Sequence, residues 1–344
     1  MSSARADDVQ SQIDVVIVNW NTGDCLRNCL RSLGVAAAGV RLGRTVVIDN
    51  ASSDGSADHL PRLPNLILIH NEQNVGFAAA CNQGARLGTA PYALFLNPDT
   101  VLLPETLRSV LAFMDGPNGT SYGICGASVL QPDGTPGLSA SRFPTLANVV
   151  TSTVHLERVL PRLAPRHMLA YELQTSRPVD QVIGAFFLVR KSLFNRLEGF
   201  DERYFLYYEE VDFCRRAAFV GAATFFLSEA KVHHIGNVSA KRSGGRALLH
   251  SLRSRTVYAI RHWSAAEVTT LVAFTVMLEL PIRLLRAVVR FNVAEVATVC
   301  RTFGGYVAFV IRIMRHRYPM FDPPSESLAQ LSAVGKAGAV VGPR

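Results

Sequence analysis

Apolar runs at residues 14–19, 45–49, 65–70 and 92–96 each end in polar or charged residues, and no other feature constrains the fold as tightly. A short aliphatic run without alternation is what a parallel strand buried on both faces requires. Helical patterns fall at 24–34, 76–87 and 104–114, the last with Pro104 near its first turn. Strand and helix alternating at this spacing predict an open α/β sheet. Ligands of such sheets bind beyond the carboxyl ends of the strands. Those ends carry Asn19 and Asn21, then Asp49, Asn50 and Asp54, then Asn97 and Asp99, so one polar edge is expected.

Downstream, residues 115–180 are mixed and rich in loop formers, and 182–189 reads as another buried strand. Residues 201–219 begin aromatic and acidic and become helical, and 223–227 and 231–235 read as short strands. After about 241 long apolar helical stretches are punctuated by arginine. The organisation expected is a disordered leader over 1–12, an α/β catalytic domain over 13–240, a basic amphipathic helical region over 241–320 and a flexible tail over 321–344. The leader is polar and lacks the apolar core of a secretion signal, which predicts a cytoplasmic catalytic part.

The formal charge of +8 is unevenly placed. Residues 241–320 hold thirteen Lys or Arg against three Asp or Glu, a local excess of +10, so the rest sums to about −2. An anionic partner surface is expected there. Nucleic acid fits poorly, because the arginines are interleaved with aliphatic runs rather than with stacking aromatics. The six cysteines form no CxxC pair and read as buried thiols of a reducing compartment. No GxGxxG follows the first strand, and no GxxxxGK[ST] or GxSxG occurs, which disfavours dinucleotide oxidoreductases, P-loop NTPases and α/β-hydrolases.

Four groups can carry chemistry. Asp49 and Asp54 flank a Ser-rich turn, where carboxylates either bind a nucleobase and ribose hydroxyls or simply shape the turn. Asp99, held by Pro98 just past a strand, can place an oxygen on a divalent cation beside substrate phosphates. Glu209, Glu210 and Asp212 follow an aromatic patch at a helix start, suited to a general base, although helix N-termini favour carboxylates anyway. Asp212 and Arg216 are spaced for an i,i+4 pair. His233 and His234 end a strand, where alternation sends the two rings to opposite sides.

Together these pieces resemble family 2 glycosyltransferases of the GT-A fold, closest to a rhamnosyltransferase-like branch that builds bacterial cell-wall and surface polysaccharides. The matches, in family order, are 15–21 (VVIVNWN), 47–56 (VIDNASSDGS), 74–84 (NVGFAAACNQG), 94–99 (LFLNPD), 184–190 (GAFFLVR), 199–202 (GFDE), 205–212 (FLYYEEVD) and 234–236 (HIG). The resemblance implies an open, mostly parallel mixed sheet flanked by helices. It implies that Asn19, Asp49, Asn50, Asp54, Asn74, Gly76, Asn82, Asn97 and Gly184 form a nucleotide-sugar pocket, with Asp49 at the nucleobase. Asp99 becomes the acid of a DxD-type motif binding Mg²⁺ or Mn²⁺, with His234 rather than His233 beside it. Asn97 stands where that motif has its first acid, a change that many members of the branch share. Glu210 becomes the general base of a single inverting displacement, with Glu209 as the neighbouring alternative. The implied donor is a nucleotide-sugar such as dTDP-rhamnose, and the implied acceptor a saccharide or a polyprenyl-diphosphate-linked sugar.

In the C-terminal quarter, residues 268–278 are apolar, but only about eleven residues precede Glu279 and Pro281, while a spanning helix needs about twenty. Arg283, Arg286 and Arg290 share one helix face. The expectation is amphipathic helices lying peripherally on the anionic cytoplasmic face of a bacterial inner membrane. The sequence fixes no oligomeric state.

Overall fold

The computed structural model describes residues 12–131, 133–153, 166–236 and 245–316. Apart from Gln12, the expected leader lies outside them, as does the expected tail.

The first half alternates as expected: β1 (Ile13–Asn19), α1 (Cys25–Ala36), β2 (Leu42–Asp49), β3 (Leu66–His70), α2 (Phe77–Ala85) and β4 (Tyr92–Leu96). There follow β5 (Thr100–Leu102), α3 (Thr106–Asp115), β6 (Tyr122–Leu130), β7 (Ala140–Ser141), α4 (Leu146–Thr153), β8 (Arg177–Val179), β9 (Gln181–Val182), β10 (Phe186–Arg190), α5 (Lys191–Arg196), α6 (Glu209–Phe219) and β11 (Ala223–His234). Nine strands form one mixed sheet in the order β3-β2-β1-β4-β10-β6-β11-β5, with β8 on β11. Pairing is parallel from β3 to β4 and between β6 and β11, and antiparallel where β10, β5 and β8 join.

Alternation along β1 sends Ile13, Val15 and Ile17 to the core under α1 and α3, and Val16 and Val18 to the core under α2, α5 and α6. That is why the run is aliphatic from Val15 to Val18: both faces are covered, and the buried Asp14 before it accepts from the Arg44 and Ala90 amides at 2.7 Å each. In the second core Phe95, Phe187, Phe194, Phe200 and Phe213 interlock, with Phe95 to Phe200 at 4.8 Å and Phe200 to Phe213 at 5.4 Å. Such pairs contribute about 0.5–1.5 kcal/mol each beyond their burial. They fix α6 against β4 and β10.

The structure differs from expectation in three places. The run at 182–189 is two strands, broken at the Gly184–Ala185 loop. The two strands expected at 223–227 and 231–235 are one, bent by a register shift between Leu227 and Lys231. β6 was hidden in the mixed region because glycines dilute its pattern. Gly126 is required there, since a Cβ would lie 2.5 Å from Val182.

The C-terminal quarter is α7 (Arg246–His262), α8 (Ala265–Phe274), a π-helical turn (Thr275–Glu279), α9 (Leu280–Val289) and α10 (Val293–His316). The break expected at Glu279 and Pro281 is absent. Pro281 follows directly on the π turn, in which the Leu280 N–H reaches back to the Thr275 carbonyl, and the helix runs unbroken from Ala265 to Val289 over 25 residues. Both it and α10 are long and apolar enough to cross a membrane. Glu279 is turned inward by the π turn. It meets Arg255 at 2.5 Å and Arg283 at 3.1 Å, and Arg255 also donates to Thr275.

α7 is fastened to the sheet domain through Asp212. His262 Nε2 lies 2.8 Å from Asp212 Oδ1, Arg261 Nε 3.3 Å from the same oxygen, and Arg216 Nε 2.7 Å from Oδ2. Burial would raise this carboxyl, but Arg216, His262 and Arg261 outweigh it and hold Asp212 well below the usual carboxylate range. Asp212→Ala leaves Arg216 buried without its counter-charge, which should cost about 3–5 kcal/mol in urea unfolding at pH 7. Because the folded-state value is depressed, this stabilisation is present above about pH 4 and fades as the pH falls further.

Candidate active site

Parallel pairing sets Asn19 opposite Asp49 and Ile17 opposite Leu96, so β1, β2 and β4 end at the same edge of the sheet. The strand order reverses beside β1, which opens a crevice there.

On one side of the crevice, Asn19 Nδ2 donates to Asp49 Oδ1 at 2.8 Å and to Ser56 Oγ at 2.8 Å. Asp49 Oδ2 accepts from the Ser52 amide at 3.3 Å and lies 3.3 Å from His70 Nδ1. Asp54 accepts from the Gly23 amide at 2.9 Å and the Ser56 amide at 3.0 Å, joining the loops after β1 and β2. Asn50 reaches further: Nδ2 donates to Asn74 Oδ1 at 3.0 Å and to the Gly76 carbonyl at 3.2 Å. Gly76 has φ +90, and a Cβ there would lie 2.7 Å from the Phe205 carbonyl oxygen. This group therefore holds together Asn19, Asp49, Asn50, Asp54, Asn74 and Gly76.

Asn82 stands apart from them. It is buried on α2, accepts from the Phe200 amide at 2.9 Å and donates to the Phe200 carbonyl at 2.8 Å and to Glu202 at 3.0 Å. Its amide anchors the loop that leads to α6.

A second group gathers past β4. The Asn97 amide donates to the Ala185 carbonyl at 3.1 Å, and so does Thr100 Oγ1 at 3.2 Å. Gly184, one residue earlier, borders open space. The bend in β11 brings its last residue opposite Thr100, and His234 Nε2 then lies 3.1 Å from Asp99 Oδ1. The neighbouring ring of His233 turns to the Gln131 carbonyl at 3.4 Å. Alternation along the strand thus separates the two histidines as expected.

The third group begins α6. Tyr207 and Tyr208 both have left-handed backbones, φ 68 and 72, which costs an ordinary residue about 1–2 kcal/mol each. They are held there from α7 and from the segment after 165. Ser254 Oγ donates to the Leu206 carbonyl at 2.8 Å, Phe205 stacks on His250 at 4.5 Å, and Arg166 Nη1 donates to Tyr208 Oη at 2.9 Å. This strained turn presents Glu209 and Glu210 side by side. Each has its Oε2 buried without a hydrogen-bond partner among the described residues. Burial pushes both carboxyls above their usual range. Proximity to Glu210 adds to the rise at Glu209, while backbone N–H groups and the Arg166 charge restrain it at Glu210. Glu209 is buried and Glu210 half-buried. α6 packs on β9, the strand just before the Gly184–Ala185 loop, while Asn97 and Thr100 bond to the Ala185 carbonyl, so both acidic groups stand on elements that border this loop.

Residues 14–197 match the family model described as Glycosyl transferase family 2. The chain belongs to that family. It is therefore a glycosyltransferase, and the relatives narrow the branch. An N-acetylglucosaminyl-diphospho-decaprenol L-rhamnosyltransferase of Mycobacterium tuberculosis is 29% identical over 270 residues, covering 73% of this chain and 85% of that one. The rhamnosyltransferase WbbL of Escherichia coli K12 is 26% identical over 173 residues, covering 49% of this chain and 62% of that one. A solved mannosyltransferase from Pyrobaculum calidifontis, in complex with GDP-Man and Mn²⁺, superposes with a TM-score of 0.49 at 15% identity, covering 98% of this chain and 82% of that one.

Sequence reasoning left out Arg166, His262 and Arg261, each remote in the chain from the groups it touches. Gly76, which it included for the donor pocket, has a steric duty as well. Gly76→Ala should destabilise the fold by about 1–2 kcal/mol in thermal or urea unfolding, from the left-handed backbone alone. It should also loosen the contact between the 74–76 turn and Phe205, read as a rise in the Kd for nucleoside diphosphate.

Proposed function

We propose that the protein transfers a sugar, rhamnose from dTDP-rhamnose being the leading candidate, onto a polyprenyl-diphosphate-linked saccharide at the cytoplasmic face of a bacterial inner membrane. The observation that carries this reading is that the Asp99–His234 pair and the Glu209–Glu210 pair both stand on elements that border the Gly184–Ala185 loop. The sugar and the lipid carrier follow those of the rhamnosyltransferase relatives. The 13–240 and 241–320 divisions act as catalytic and membrane-associating parts.

In this reading the Asn19, Asp49, Asn50 and Asp54 group receives the nucleoside. Asn74, Gly76, Asn97 and Gly184 line the sugar and diphosphate, and Asn82 shapes the pocket through the 199–202 loop. Asp99 and His234 would hold Mg²⁺ or Mn²⁺. Their 3.1 Å separation fits adjacent corners of an octahedron, whose edge is about 3 Å for bonds of about 2.1 Å. Such an ion, when bound, supplies positive charge to a leaving diphosphate. Glu210 accepts the acceptor hydroxyl proton as that oxygen bonds to the anomeric carbon. The bond from that carbon to the diphosphate oxygen breaks, nucleoside diphosphate leaves, and the configuration inverts. Glu209, the more buried partner, keeps its proton and so leaves Glu210 ionised.

Nucleoside diphosphate release from a panel of nucleotide-sugars, with Mg²⁺ and a membrane lipid extract, tests the reaction. Glu210→Gln should lower turnover by about 10²-fold or more, and Glu209→Gln by much less. Equal release by Glu210→Gln would move the base to Glu209, and no release from any donor would sink the reading. The base must be ionised and its carboxyl is raised, so kcat/KM should climb with pH along a limb above about pH 4.3, the ordinary glutamate value.

Support for the membrane comes from exposed apolar side chains on α9 and the turn after it. Phe291 is 90% exposed and Val293 80%, with Leu285 and Val289 beside them and Arg283, Arg286 and Arg290 interspersed. Phe291→Asp should weaken sedimentation with phosphatidylglycerol vesicles by roughly tenfold, since burying one aromatic side chain contributes about 1.5–3 kcal/mol. Unchanged binding would place the contact elsewhere.

A further inference from the structure

Two arginines beside the start of α6 are given no ligand by the reaction as derived. Arg166 lies with its guanidinium 4.8 Å over the Tyr208 ring and bonds the Tyr208 hydroxyl through Nη1. Arg215, on α6 beyond Glu210, is held between Phe143 at 4.9 Å and Phe219 at 5.1 Å. The Nε of each is buried without a partner among the described residues. Arg142, Arg216, Arg255 and Arg261 face a carboxylate, whereas Arg190 and Arg253 bond backbone carbonyls. Neither Arg166 nor Arg215 faces a carboxylate among the described residues.

The two charges converge. Both act on the Tyr258 hydroxyl, and that of Arg166 also acts on Glu210. Tyr208 and Tyr258 pack together at 5.6 Å, with Phe143 against the same cluster. Aromatic faces hold the guanidinium planes and leave their N–H edges for a ligand. Two such edges beside two phenols, with no carboxylate in the set, match the oxygens of a phosphate ester.

We propose that Arg166 and Arg215 grip the diphosphate of the acceptor, and that the sugar presented to Glu210 is the one joined directly to that diphosphate. The proposal rests on the reading of Glu210 as the base and of the acceptor as lipid-linked. It restricts the substrate class: a sugar far along a growing chain would leave the arginines unfilled.

Equilibrium binding to the full chain tests it without turnover. The probes are N-acetylglucosaminyl diphosphate on a short prenyl chain, the uncharged octyl N-acetylglucosaminide, dTDP, and phosphatidylglycerol vesicles. The wild type should prefer the diphosphate probe over the octyl glycoside by about tenfold or more, the scale of one or two charge-assisted hydrogen bonds. The R166Q/R215Q pair should abolish that preference with dTDP and vesicle binding unchanged. R166K/R215K should restore part of it, and a melting curve for each variant separates lost binding from lost folding. A preference that survives R166Q/R215Q overturns the proposal. A parallel fall in dTDP affinity assigns the arginines to the donor diphosphate, and a parallel fall in vesicle binding assigns them to lipid headgroups; either overturns it. Transfer that persists in Glu210→Gln while the binding preference depends on the arginines would fault the base and leave the phosphate site standing.

Discussion

A carboxylate with no solvent exposure is unfavourable by several kcal/mol unless charge and hydrogen bonds surround it. Asp212 is such a group, and the arrangement that satisfies it joins distant parts of the chain. Arg216 reaches it from the next turn of α6 and continues to the Leu197 and Gly199 carbonyls, while His262 and Arg261 reach it from the end of α7. The start of α6, the loop before it and the C-terminal helices are thereby one unit. The glutamates stand two and three residues from this carboxylate, so their position is set partly by α7.

That coupling accounts for the strained turn ahead of α6. Two consecutive tyrosines in the left-handed region persist only if surrounding contacts over-determine them. Here Leu206, Phe205 and Tyr208 are each held by a residue of α7 or by Arg166. The strain presents two acidic side chains where burial raises both carboxyls above their usual range. The C-terminal helices are thus structural parts of the crevice as well as a candidate membrane surface.

The Glu279 ion pair makes a related point about α8 and α9. Length and hydropathy alone suit a spanning helix. Yet the π turn rotates the only acid of that stretch after Glu267 onto Arg255, a residue of α7. One face is therefore committed to the protein, and apolar side chains are left outside from Met277 and Leu278 through α9 to Phe291 and Val293.

Much of this was written in local pattern. The unalternating runs specified parallel strands because only a sheet covered on both faces tolerates them, and the polar residues at the run ends meet at one edge of the sheet because parallel strands end together. The Asp212–Arg216 spacing and the opposite directions of His233 and His234 followed from helix and strand periodicity. Tertiary structure decided the rest, for identifiable reasons. β6 was obscured because its glycines are required by the close approach of side chains, Leu193 at Gly123 and Val182 at Gly126, rather than by a turn. The apparent helix break at Glu279 vanished because a buried charge is tolerable once Arg255, twenty-four residues away, neutralises it. Arg166 and His262 carry no local signature, since what matters about them is the atom they face across the fold. Sequence determines which side chains are available and which way each element must turn them; only packing decides which charges meet.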